Sequence, residues 1–314
     1  MPCERIKVEP QCNLIIDSCC DLPSDVVARD GVYLLEFPYF DSQGEHSDDL
    51  FVTSSAKDFF DGMRKGEEPH TAQLSMSALT QAFKWAREQG KPAVYFCFSS
   101  GLSGTYDTAC MVLEQLKEED PELDVTVVDT RLASTAEALF VYEALRQRER
   151  GLTAEELADW ARESRNYIRC EFMVEDLEAL RRGGRIPATV AFAGAKLDVK
   201  PILTIENDGT LGLVGIARGR KKGMKTMIEF YEKTRVDQHP NIVVTGNADC
   251  EKDAKRFADM IRDNDESAMI LETSIGPVIG SHVGPDMLSI VFWGKDQREE
   301  ISMADRIANK IKRK

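Results

Sequence analysis

Short apolar runs alternate with amphipathic stretches along most of this chain, and no other feature restricts its fold so tightly. Buried parallel strands read as continuous apolar runs, and the helices that cross over between them as stretches with helical periodicity. In the first half, strands are expected at Asn13–Asp17, Val32–Phe40, Ala93–Phe98 and Val125–Val128. Helices are expected at Ser54–Arg64, Ser77–Glu88, Gly104–Lys117 and Ser134–Arg148. Asp21-Leu22-Pro23 supplies a cap and an early proline for a short helix after the first strand, and Thr153 with Glu156 forms a capping box. In the second half, strands are expected at Glu171–Val174, Ile202–Ile205, Leu211–Ile216, Ile242–Thr245, Met269–Glu272 and Leu288–Phe292. Asn207-Asp208-Gly209 makes a hairpin turn between two of them. Helices follow at Lys222–Lys233, Glu251–Arg262 and Asp296–Lys312. The fold class is therefore α/β in two domains. Residues 1–167 hold a mainly parallel sheet flanked by helices, and residues 168–314 hold a mixed sheet and a C-terminal helix.

At 314 residues, with 42% apolar and 30% charged, the chain is long enough to bury its own core without covalent staples. Its net charge of −14 argues against nucleic acid as a partner, since that requires a basic face for the phosphates. The eight cysteines show no metal-ligand spacing, which fits idle thiols in a reducing compartment. Neither a metal nor a cofactor is expected. Met1–Pro10 lacks the apolar core of a secretion signal, and no run is long enough to span a bilayer, so a cytoplasmic location is expected.

Three loops could carry chemistry. Ser99-Ser100-Gly101-Leu102-Ser103-Gly104-Thr105-Tyr106 follows a buried strand and opens a helix, aiming free amides and the positive end of the helix dipole at one point. Such a loop suits a carboxylate or phosphate, or it serves only as a cap for its own helix. It is neither a nucleophile elbow, because Thr105 stands where the second glycine would be, nor a Walker loop, because no lysine follows. Thr71-Ala72-Gln73-Leu74-Ser75 precedes another helix, with Ser75 as its cap and Thr71 free to face a cleft. Asp17-Ser18 ends the first strand. In an open α/β sheet all three should converge beyond the carboxyl ends of the strands.

The second half contributes Leu180-Arg181-Arg182-Gly183-Gly184-Arg185-Ile186. Arg181 and Arg182 suit a helix C-terminus, but Arg185 lies beyond it. Arg218, Arg220, Lys221 and Lys222 stand at the start of a helix, the unfavourable end for cations. They form either a solvated face or a patch for a phosphate or an acidic partner near His282. His282 lies in what reads as a small-residue loop, Gly280–Pro285, and is either a structural histidine or a site residue. His46, His70 and His239 read as surface residues.

In order and spacing these segments resemble the DegV family of bacterial fatty-acid-binding proteins. The likeness runs from I-I-D-S-x-x-D-L (Ile15–Leu22) to the His282 loop, through S-S-G-L-S-G-T-Y, L-R-R-G-G-R-I and K-P-I-L-x-I-x-x-D-G. The resemblance implies two α/β domains enclosing an acyl chain, with its carboxylate held by Thr71, Ser103, Gly104 and His282. It also implies that His282, Arg185 and Arg218 assist docking or phosphoryl transfer. Two motifs depart from the family pattern: T-S-Q-P-S reads Thr71-Ala72-Gln73-Leu74-Ser75, and H-x-G-P-G ends on Asp286. A carboxylate at Asp286 should oppose an anionic ligand unless it points away.

The implied function is a carrier with no activity of its own. It binds a long-chain fatty acid, presents the carboxyl group to a separate ATP-dependent fatty acid kinase, and touches a membrane surface in passing. Two alternatives compete: an acyl hydrolase built on Ser103 and His282, for which Asp286 is the nearest orienting acid in sequence, and a binding module for another small lipid anion.

Overall fold

The computed structural model describes residues 9–186, 198–237 and 240–299. The chain begins with β1 (Asn13–Asp17), a 3-10 turn (Ser18–Cys20), α1 (Ser24–Val27), β2 (Val32–Leu35), β3 (Pro38–Asp41), β4 (Gly44–Ser47), α2 (Ala56–Arg64) and β5 (His70–Thr71). It continues with α3 (Met76–Glu88), β6 (Ala93–Cys97), α4 (Thr105–Glu119), β7 (Val125–Asp129), α5 (Ser134–Glu149) and α6 (Ala154–Ser164). The second half holds β8 (Ile168–Met173), α7 (Glu178–Arg182), β9 (Val199–Ile205), β10 (Leu211–Arg218), α8 (Arg220–Thr234), β11 (Ile242–Asn247), α9 (Glu251–Asn264), β12 (Met269–Ser274), α10 (Pro277–Val283) and β13 (Leu288–Trp293).

A four-stranded parallel sheet runs in the order β2-β1-β6-β7, and every residue of β1 and β6 is buried, as the apolar runs at their centres require. The chain leaves β1 toward one edge and β6 toward the other, so a crevice opens between their carboxyl ends. The second sheet is mixed, in the order β10-β9-β8-β13-β11-β12, with β11 and β12 its parallel pair. A small antiparallel sheet, β4-β3-β5, lies apart from both. The α/β class with one parallel and one mixed sheet is thus as the sequence implies. Helix α5 packs on β11 and β13 as well as on the turn after β1, and one apolar core runs from Leu14 and Phe96 through Phe172 to Val291. Among the described residues, no helix is long and apolar enough to cross a membrane.

Three expectations need correction. Val32–Phe40 is not one strand: the chain breaks after Leu35, and Pro38, which cannot donate to a ladder, starts β3 in a different sheet. Asp21 caps no helix. Asp17 accepts the Cys19 amide of the 3-10 turn, while α1 begins after Pro23 with no side-chain cap. Gly280–Val283 is helical rather than a loop. Pro277 occupies the first position of α10, and Gly284, at φ 75°, ends it. Gly280 is required there because a Cβ would meet the Phe60 ring at 2.8 Å. In the expected C-terminal helix, Gln297–Glu299 forms a 3-10 turn and residues 300–314 lie outside the described residues, as does His239.

Candidate functional site

Beyond β1 and β6 lies a cavity of about 180 Å³ whose lining includes Thr71, Gln73, Ser103, Gly104, Arg185 and His282 at a polar end. The rest of the wall is largely apolar: Phe37, Phe98, Leu102, Phe172, Ile205 and Val283 are among its members. The two sheets therefore build it together.

Asp17 and Ser18 frame the cavity without lining it. Asp17 accepts the Phe98 amide at 2.9 Å and the Tyr95 hydroxyl at 3.2 Å, and Ser18 Oγ accepts the Phe37 amide at 3.1 Å. Two wall aromatics are thereby tied to the end of β1. Burial pushes the Asp17 carboxyl up to about 7.

Thr71 sits on β5 opposite Tyr39, and its Oγ1 lies 2.8 Å from His282 Nε2. His282 Nδ1 is buried with no hydrogen-bond partner among the described residues. Burial, then the guanidinium groups of Arg185 and Arg182, push this imidazole down to about 3, so it is neutral near pH 7. Helix α10, which carries His282, is clamped at its start by two buried carboxyls from the first half. Asp21 accepts the Gly276 amide at 2.9 Å and the Ser134 hydroxyl, and Asp48 lies 3.5 Å from the Val278 amide.

Ser103 lies one residue before the Gly104 cap of α4 and accepts the Thr105 amide at 3.2 Å. A Cβ at Gly104 would fall 2.5 Å from Gln73 Oε1, so glycine lets the two loops close on each other. Ser75 caps α3 as expected, accepting the Ala78 amide. Arg185 donates to the Leu102 and Gly183 carbonyls and so links the glycine loop after α7 to the Ser103 loop.

Arg218 does not belong to this group. It ends β10 exposed and is absent from the cavity lining, as are Lys221 and Lys222. Arg220 is not a free cation either: it pairs with Asp253 and donates to the Asp286 carbonyl at 2.7 Å. The Asp286 carboxylate pairs with Arg64 at 2.9 Å, which accounts for the negative charge that the sequence sets near His282. His46 contacts Asp41 and stacks on Tyr39, while exposed His70 stacks on Phe40. Among the described residues, no group of three or more His, Cys, Asp or Glu side chains is placed to hold a metal.

Sequence reasoning did not single out Asp48, Gln73 or the wall residues Phe37 and Phe98. Asp48 sits in an acidic loop that reads as solvated, and an apolar wall residue cannot be told from core by type alone.

The fold is thus an α/β architecture with a cavity at the switch point of its parallel sheet, apolar within and hydroxyl-lined at one end. The model described as "Uncharacterised protein, DegV family" matches residues 11–295, and the chain belongs to that family. A DegV domain-containing protein of Clostridium perfringens, CPE0026, is 34% identical over 90% of this chain and 97% of its own length. A fatty-acid-binding DegV family protein of Thermus thermophilus superposes with a TM-score of 0.81 at 26% identity, over 91% of this chain and all (100%) of that one. The Streptococcus pneumoniae fatty acid kinase B3 protein, loaded with linoleic acid, shares the fold with a TM-score of 0.77 at 18% identity, over 90% of this chain and 99% of its own.

Proposed function

We propose that this protein binds a long-chain fatty acid, carboxylate on Thr71 and Ser103 and chain in the apolar cavity, and presents it to a separate ATP-dependent kinase. The observation that carries this reading is the meeting of Thr71, Ser103 and His282 at the polar end of one apolar cavity. The fatty acids bound by the Thermus and Streptococcus relatives support it.

The hydrogen bonds give the site a direction. A proton on His282 Nδ1 would be a buried, unsatisfied donor, so the imidazole carries its proton on Nε2 and donates to Thr71 Oγ1. The Thr71 proton is then free for a ligand oxygen. Arg185 lines the cavity and adds positive charge beside the carboxylate. Each buried methylene contributes about 0.8 kcal/mol. A cavity near 180 Å³ is little larger than the roughly 150 Å³ that accepts one benzene ring, so a long chain enters by displacing wall side chains. In the kinase complex, a carboxylate oxygen would attack the γ-phosphorus of ATP. The acyl–O–P bond forms as the bond to ADP breaks, and ATP and metal sites would belong to the kinase.

The hydrolase alternative fits less well. His282 Nε2 is turned to Thr71, Ser103 Oγ faces Thr105, and Asp286 is held by Arg64 rather than by Nδ1. Mass spectrometry of lipid extracted from the purified protein tests the carrier, with a free long-chain fatty acid expected; an empty cavity after incubation with such acids overturns it. Hydrolysis of a p-nitrophenyl acyl ester that Ser103→Ala abolishes would restore the hydrolase.

A further inference from the structure

Thr105, the first residue of α4, is fully buried, yet its hydroxyl stands at the junction of the two loops that line the polar end. Leu74, three residues after Thr71, donates its amide to Thr105 Oγ1 at 3.3 Å. Ser103 Oγ lies 3.0 Å from the same oxygen and also accepts the Thr105 amide at 3.2 Å. An amide can only donate, so Thr105 Oγ1 is the acceptor toward Leu74. Its own proton needs an acceptor, and among the described residues only Ser103 Oγ is placed to offer one. Pointing elsewhere would leave a buried hydroxyl donor unmade. Ser103 Oγ then accepts twice, from the Thr105 hydroxyl and the Thr105 amide, which uses both lone pairs and leaves its proton to point away, into the cavity that Ser103 lines.

We propose that Thr105 is a positioning residue that fixes the Ser103 hydroxyl as a donor into the cavity, so that the polar end selects acceptor-only head groups. The selectivity part rests on the fatty-acid reading; the proton direction does not. One relay runs Leu74 N–H to Thr105 to Ser103, and the other runs His282 to Thr71, so both hydroxyls that meet the ligand are donors. A carboxylate, with four acceptor sites and no proton, matches such a pair. A fatty alcohol can donate or accept and gains nothing from the fixed direction.

Joint neutron and X-ray diffraction of the native protein tests the relay without a ligand. The Thr105 deuteron is expected on the line to Ser103 Oγ and the Ser103 deuteron toward the cavity; the reverse arrangement overturns the proposal. Binding of palmitate and of hexadecan-1-ol tests the selectivity. Thr105→Val should lower the preference for palmitate over the alcohol roughly tenfold, and Thr105→Ser should restore it. If both ligands weaken equally, or neither does, Thr105 is merely structural and the selectivity is lost as an idea. A native protein that binds no palmitate defeats the fatty-acid reading, while the neutron result still decides the relay.

Discussion

His282 Nε2 lies 2.8 Å from Thr71 Oγ1, a contact between residues 211 positions apart that joins the second half of the chain to the small sheet of the first. Thr71→Val removes the hydroxyl and leaves the imidazole N–H without an acceptor. Affinity for a fatty acid is expected to fall roughly tenfold to a hundredfold, the scale of a hydrogen bond to a charged group. Titration calorimetry would measure it, and an unchanged affinity would remove Thr71 from the head-group site.

The same imidazole shapes the acid limb of the stability curve. Its value falls from 6.5 in the unfolded chain to about 3 in the folded protein. Below pH 6.5 the unfolded chain therefore takes up a proton that the folded chain refuses. The contribution of His282 is complete above about pH 6.5 and declines as the pH falls toward 3. Urea denaturation at a series of pH values should show a shallower decline for His282→Gln than for the native protein. Asp17 and Asp48, each raised to about 7, tilt the curve the other way, so the comparison is between variant and native protein.

Gly183 offers a steric test in which no ligand-touching residue is itself substituted. At φ −71° an alanine is unstrained, but its Cβ would fall 2.2 Å from His282 Nδ1. Gly183→Ala should push the imidazole off Thr71, costing about 1–3 kcal/mol in denaturant titrations and weakening fatty-acid binding together. Native affinity in a stable variant would show that the contact is not needed.

Asp21 is expected to matter through α10 rather than through the ligand. Its carboxyl holds the Gly276 amide at 2.9 Å and the Ser134 hydroxyl. Asp21→Ala leaves two buried donors without acceptors, at roughly 1–3 kcal/mol each. Asp21→Asn keeps one acceptor and should lose less. Thermal unfolding of the pair gives the order, and equal losses would mean that the clamp is not what Asp21 supplies.

Much of this fold was legible because the physics involved is local. The run at Asn13–Asp17 is apolar at every position but its two ends and Ala93–Cys97 is apolar throughout, as strands buried on both faces must be, and Thr153 with Glu156 closes its capping box within four residues. The loops bearing Thr71 and Ser103 were legible for a related reason, since hydroxyls and glycines before a helix mark a polar opening. Helix α10 was not. Its Gly280 and Ser281 look like loop residues, and the helix is held by the Phe60 ring and by Asp21 and Asp48, all from the other half of the chain.

The sequence by itself determined most of the strands and helices, the caps at Ser75 and Thr153, and the chemical character of the Thr71 and Ser103 loops, because these depend on neighbours a few residues away. Tertiary structure alone decided which groups meet. It turned Asp286 onto Arg64, tied Arg220 to Asp253, and left Arg218 outside the cavity while bringing His282 to Thr71. Those pairings depend on burial and on distances across the sheets, which fix both whether a charge is compensated and which way a hydroxyl proton points.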